Sequence, residues 1–192
     1  MTDSAAMYEA LTTSVRRLID ATIRTEVDID TVAAMKAKID EITEQLSANL
    51  MPGSFGERVV NDGQSPGSGN VVIGVRNPSA PPLTVHHDNG GAVWTECVLG
   101  AAYEGPPGHV HGGVSAMILD HVLGATAHKP GRPAYTGTLT LRYHRGTPLR
   151  HSLRADAWID RVQGVKTFAA GKLSDGAGTT VSAEGVFIHP RR

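Results

Sequence analysis

From Ala134 to Pro190 the chain passes through four β-rich stretches, AYTGTLTLRYHR, HSLRADAWIDRV, VKTFAAGKLSD and TTVSAEGVFIHP, joined by turn-forming residues such as VQG and DGAG. No helix fits between them. That order is a poor match for a doubly wound parallel sheet, which needs a helix between successive strands, and favours antiparallel pairing. Ahead of the four lies one long helical stretch, 112–127, preceded by three shorter strand-like runs, VVIGVRN, LTVHHD and GAVWTECVLGAAY. The pattern is α+β: one helix packed on a mainly antiparallel sheet, with the chain crossing over at that helix.

The first 50 residues follow a different period. Residues 4–24 and 30–50 read as two helices, the second carrying Val32, Met35, Ile39, Ile42 and Leu46 at spacings of three and four, with Asp30 placed as its cap. Residues 51–70 are rich in Gly, Pro and Ser and read as a linker or mobile loop that could cover a binding groove. The expected organisation is therefore a helical segment (1–50), a linker (51–70) and a sheet domain (71–192), and 192 residues suffice for one full core.

Composition narrows the function classes. Lys plus Arg (18) nearly balance Asp plus Glu (19), and no basic stripe is present, which argues against nucleic acid as a partner. The longest apolar runs fall far short of a membrane span. The N-terminus lacks a basic region followed by an apolar one, so the expected location is cytoplasmic. Cys97 is the single cysteine, which rules out an intrachain disulfide, and in WTECVLG it reads as a small buried hydrophobe.

The stretch GPPGHVHGGVSAMILDHVLG, residues 105–124, carries the chemistry. Pro106 and Pro107 forbid a regular helix, so the helix starts after them, and Gly112 and Gly113 fall in its first turn. Backbone N–H groups there have no partner inside the helix, and glycine leaves them uncovered. A carbonyl oxygen gaining negative charge could sit against them. Asp120 lies two turns further on, in a strip of small residues formed by Gly113, Ala116, Gly124 and Ala127. Among Met117, Ile118, Leu119, Val122 and Leu123 a carboxylate is costly to bury; it either bonds a backbone group or a histidine, or it does chemical work.

His-Gly-Gly followed after six residues by Asp, within this stretch, resembles the hotdog-fold acyl-CoA thioesterases, in particular the phenylacetate-pathway type and the mitochondrial long-chain enzymes. The resemblance runs from about Asn77 to Pro190 and includes NPSAPPL and RVQGVKTF. It implies a hotdog fold, in which a long central helix is wrapped by an antiparallel sheet, here with an N-terminal helical extension. It implies an acyl-CoA substrate, no cofactor, and a homodimer, often paired into a tetramer, whose sites are built from both subunits. It implies Asp120 as general base or nucleophile, Gly112 and Gly113 as the oxyanion donors with Gly113 leading, and Thr136 as the residue that orients water or the base. His111 is expected to fix the turn by hydrogen bonding, and Arg145, Arg161 and Lys166 are the available cations for CoA phosphates. Alternation assigns Thr136, Thr138, Thr140 and Arg142 to one face of their strand and Tyr135, Leu139, Leu141 and Tyr143 to the other. Without the resemblance, β propensity accounts equally well for Thr136.

Other readings fit less well. His109 and His111, with His86, His87 and Asp88 upstream, could suggest a metal-binding barrel, but no glutamate follows within Gly112–Met117 and the segment turns helical, so no metal is expected. Ser115 is not a nucleophile elbow, because Met117 stands where the second glycine belongs. A hydratase would need a histidine five residues after Asp120, where Ala125 stands. Binding or sensing of acyl-CoA without turnover is the alternative from another class.

Overall fold

The computed structural model describes residues 3–53, 55, 66–81, 83–128 and 133–190. The chain divides into two compact units, one holding the N-terminal helices and residues 74–79, the other holding residues 71–73 and the chain from Ala80. Most of the expected linker, 54 and 56–65, lies outside the described residues.

In the helical unit, α1 spans Asp3–Arg24 and α2 spans Ile29–Ser47. The cap of α2 is Asp28, not Asp30: the backbone is extended at Asp28, and its carboxylate accepts from the Thr31 N–H (2.9 Å) and hydroxyl (2.8 Å). Asp30 sits in the first turn, where its charge meets the positive end of the helix dipole. VVIGVRN is not a strand. Its backbone donors are spent on local turns, Gly74 N–H to Asn70 O (3.0 Å) and Arg76 N–H to Ser68 O (2.9 Å), and a Cβ at Gly74 would lie 2.3 Å from the Asn70 oxygen. The α1 guanidinium of Arg16 fastens the last part of this segment, donating to the carbonyls of Gly74 (3.1 Å) and Asn77 (2.9 Å). Arg76 in turn stacks 3.6 Å above the Tyr8 ring.

The second unit contains β1 (His86–His87), β2 (Val93–Val98), α3 (Gly112–Ala127), β3 (Tyr135–Tyr143), β4 (Ser152–Gln163), β5 (Lys166–Asp175) and β6 (Gly178–Ile188). LTVHHD yields only the two residues of β1, because Asp88 closes a turn by accepting from the Gly90 and Ala92 N–H groups, both at 2.8 Å. The six strands form one sheet in the order β1-β2-β4-β5-β6-β3, antiparallel at each pairing. Helix α3 carries the chain across that sheet, from β2 to β3 at the opposite edge.

Alternate residues of the sheet face α3 and build the core. Ile118, Leu119, Val122 and Leu123 of the helix are wholly buried, together with Leu153, Ala157, Leu173, Val181 and Phe187 of the strands. Burying each large side chain contributes about 1.5–3 kcal/mol. Gly171 and Gly185 let the helix sink onto the sheet, since a Cβ there would lie 2.6 Å and 3.1 Å from the Leu123 methyls. Among the described residues no helix is long and apolar enough to cross a membrane.

Candidate active site

The site begins at the start of α3. Residues 104–110 form a tight loop: Gly105 N–H bonds His109 O (2.9 Å), and Val110 N–H and Leu149 N–H cross-link the loop to residues 147–149. The loop delivers His111 as the N-cap of α3, in extended conformation, with its Nδ1 accepting from Gly113 N–H at 3.0 Å. The His111 carbonyl takes the N–H groups of Val114 (2.9 Å) and Ser115 (3.2 Å). Gly112 N–H is thus the first-turn donor with no hydrogen bond among the described residues. His111 holds the turn, as expected from sequence, but it does so by occupying the Gly113 donor that was expected to lead.

Asp120 lies half-buried two turns along the helix, and the Thr136 hydroxyl of β3 donates to its Oδ1 at 2.8 Å. Strict alternation would have turned Thr136 away. A β-bulge at Gly137 corrects the register: Thr136 pairs with Phe187, Thr138 already pairs with Val186, and the extra residue between them rotates the strand. Thr136 therefore shares the helix-facing side with Leu139, Leu141 and Tyr143, while Thr138, Thr140 and Arg142 lie on the other face with Tyr135. Glycine suits the bulge, since a Cβ at 137 would lie 2.8 Å from the Ile188 Cδ1 and 3.3 Å from the Val186 carbonyl. The small-residue strip is divided: Ala127 is buried and Gly124 packs on the Phe187 ring, whereas Gly113 is exposed and Ala116 and Asp120 are partly so.

Beside Asp120, burial pushes the His121 pKa down against the opposing pull of the Asp120 charge, which keeps the imidazole neutral at neutral pH. Burial raises the Cys97 thiol to about 11, so it stays protonated and unreactive. His109 bonds the Pro107 carbonyl at 2.9 Å, and His86 stacks on Trp94 with ring centres 4.1 Å apart.

Two of the three cations are held by acidic partners. Arg145 forms a two-pronged pair with Asp175, 3.0 Å at Nη1 and closer at Nη2, and also donates to Gly178 O at 2.8 Å; this pair draws the Asp175 pKa down to about 2. Arg161 pairs with Asp160 at 2.6 Å and lies 3.8 Å over the Phe168 ring. The Lys166 side chain is exposed and has no hydrogen bond or ion pair among the described residues, while its backbone pairs with Gln163 and Ile188. Sequence reasoning missed one group at the site, Tyr143, whose hydroxyl donates to Gly112 O at 2.9 Å; its only signal was its place on the same face as Leu139 and Leu141.

Residues 107–182 match the family described as Thioesterase superfamily. A crystal structure of a thioesterase superfamily protein superposes with a TM-score of 0.83 and 34% identity, covering 94% of this chain and 90% of that one. The chain belongs to the thioesterase superfamily. Its helix wrapped by an antiparallel sheet is that superfamily's hotdog fold. Two curated superfamily relatives are similar over shorter stretches. Acyl-coenzyme A thioesterase THEM5 of Homo sapiens is 30% identical over 69 residues, 36% of this chain and 28% of that protein. Acyl-coenzyme A thioesterase THEM4 of Xenopus laevis is 34% identical over 71 residues, 37% of this chain and 32% of that protein. The chain thus matches less than a third of the length of either curated relative.

Proposed function

We propose that this superfamily member hydrolyses acyl-CoA thioesters to a free acid and CoA. The observation that carries the reading is Asp120, a half-buried carboxylate oriented by Thr136 on the same helix that opens with the unpaired Gly112 N–H. A thioester carbonyl is electrophilic and a thiolate leaves readily, so a positioned base and one polarising donor suffice. Asp120 takes a proton from water as the water oxygen attacks the carbonyl carbon; the carbonyl oxygen becomes anionic against Gly112 N–H; the C–S bond breaks and the thiolate leaves. General-base catalysis contributes about 10²–10⁴-fold, and one oxyanion donor about 10²–10³-fold. Thr136 orients the base, Gly113 and His111 hold the donor turn, and Lys166, whose side chain has no partner among the described residues, meets a CoA phosphate.

The two working groups must come from different chains. Eight residues of helix separate Gly112 from Asp120, about 12 Å along the axis, a long span for one water held by the base and one carbonyl oxygen held by the donor, each at about 3 Å. Strand β3 supplies the means: it is a nine-residue edge strand with little buried surface, and an unpaired edge of that length invites another strand. One end of β3 touches Asp120 through Thr136, and the other touches Gly112 through Tyr143. Antiparallel pairing of β3 with β3 of a second copy sets the Gly112 turn of one chain beside Asp120 of the other. We therefore assign a homodimer with two equivalent sites.

The test is release of free thiol from short, medium, long and aromatic acyl-CoAs by wild type and Asp120→Asn side by side. Asp120-dependent release, falling by at least about 100-fold in the variant, supports hydrolysis. Saturable acyl-CoA binding by wild type with no release from any of them would instead make the protein a binder or sensor.

A further inference from the structure

One peptide unit of the donor turn is gripped at both ends. The carbonyl of Gly112 accepts the Tyr143 hydroxyl at 2.9 Å, and the N–H of the same peptide, that of Gly113, donates to His111 Nδ1 at 3.0 Å. Tyr143 comes from the far end of β3, 31 residues downstream, so this clamp ties the sheet edge to the first turn of α3. Both glycines are shaped to it. A Cβ at Gly112 would press on the Tyr143 ring at 3.4 Å, and one at Gly113 would lie 3.1 Å from His111 Nδ1.

The clamp dictates the state of His111. A ring nitrogen that accepts an amide N–H carries no proton, so the neutral imidazole holds its proton on Nε2. Nε2 has no hydrogen bond among the described residues, and the ring is exposed. Its other flank is closed by Gly105, where a Cβ would lie 2.7 Å from His111 Cα and 3.1 Å from Cδ2, and its backbone N–H is fixed to Tyr103 O at 2.9 Å. A hydrogen bond received at the peptide carbonyl polarises that peptide and makes its N–H a stronger donor, so the Tyr143 contact strengthens the grip on Nδ1.

We propose that Tyr143 is a positioning residue: by holding the Gly112–Gly113 peptide it locks His111 in the Nε2–H tautomer and presents that N–H as a second donor beside Gly112 N–H for the thioester oxygen. The catalytic consequence rests on the hydrolase reading above; the tautomer does not.

Two measurements separate the proposal from that reading. Long-range proton–nitrogen correlation spectra of the wild-type protein report the His111 tautomer directly. Nε2–H is expected, and an Nδ1–H ring would overturn the proposal without any variant. In Tyr143→Phe, the Gly113 amide nitrogen and both His111 ring nitrogens are expected to shift as the ring loses its fixed tautomer, and unchanged resonances would overturn the proposal. In the thiol-release assay, Tyr143→Phe is expected to lower kcat about tenfold, the worth of one hydrogen bond, with KM unchanged. Added to His111→Ala it is expected to cost nothing more, because Tyr143 acts through that ring; losses that multiply would overturn the proposal. If wild type releases no thiol at all, the hydrolase reading fails, and the spectra alone decide the role of Tyr143.

Discussion

Helices α2 and α3 are of similar length, 19 and 16 residues, yet they solve opposite problems. Helix α3 is mostly apolar and buries seven of its residues, two of them the small hydroxyls Ser115 and Thr126, so the half-buried carboxylate of Asp120 stands out as a group kept against the cost of burial. Helix α2 has a regular apolar stripe and buries nothing. Val32, Met35, Ile42 and Leu46 are 40%, 42%, 54% and 50% exposed. The lesson is that an apolar stripe records what a helix is able to pack against, whereas a carboxylate inside a mostly apolar helix marks where packing has been given up for chemistry.

Truncating one side chain on each helix should affect the two very differently. Leu123→Ala, at a wholly buried position against Gly171 and Gly185, is expected to cost about 2–5 kcal/mol in chemical denaturation. Met35→Ala on α2 is expected to stay within about 0.5 kcal/mol. A Met35 loss as large as that of Leu123 would show that the stripe is covered in the assembled protein, and the contrast would collapse.

A smaller effect tests the other half of the contrast, the idea that Asp120 is held for chemistry by its neighbours. Gly137→Val drives a branched side chain into Ile188 and the Val186 carbonyl and should displace the bulge that turns Thr136 inward. Thiol release is expected to fall about tenfold, the scale of losing one hydrogen bond to a charged group. An unchanged rate would mean that the bulge does not set the aim of Thr136.

Much of this architecture was legible in the sequence, and the failures share a cause. The bounds of α3 and the order of β3–β6 followed from periodicity and turn residues, because each is a long element whose pattern matches its packing. The VVIGVRN segment misled because its valines suggest a strand, while the residues that decide its fold are Asn70, Gly74 and Asn77, which spend their backbone groups on turns. The face of Thr136 was misassigned because a bulge inserts one residue into a period of two, and the reason for it lies in Ile188 and Val186, some fifty residues away. The partners of the cations were not legible either: Arg145 pairs with Asp175, a contact between residues thirty apart that exists only once β5 and β6 have folded beside it. Asp120 and the glycine pair could be placed on one helix from sequence because their spacing is local to it. Tyr143 was missed because its contact is not.

If one chain supplies the base and the other the oxyanion donor, mixed dimers should be active where their parents are not. Asp120→Asn removes the base, and Gly112→Val obstructs the donor turn against the Tyr143 ring. Each variant alone should release almost no thiol from acyl-CoA. Co-expressed and purified as the mixed dimer through two different affinity tags, they should regain activity, because one of the two sites then pairs an intact Asp120 from one chain with an intact Gly112 turn from the other. A mixed dimer as inactive as its parents, with acyl-CoA binding preserved, would place both groups in the same chain and contradict the account.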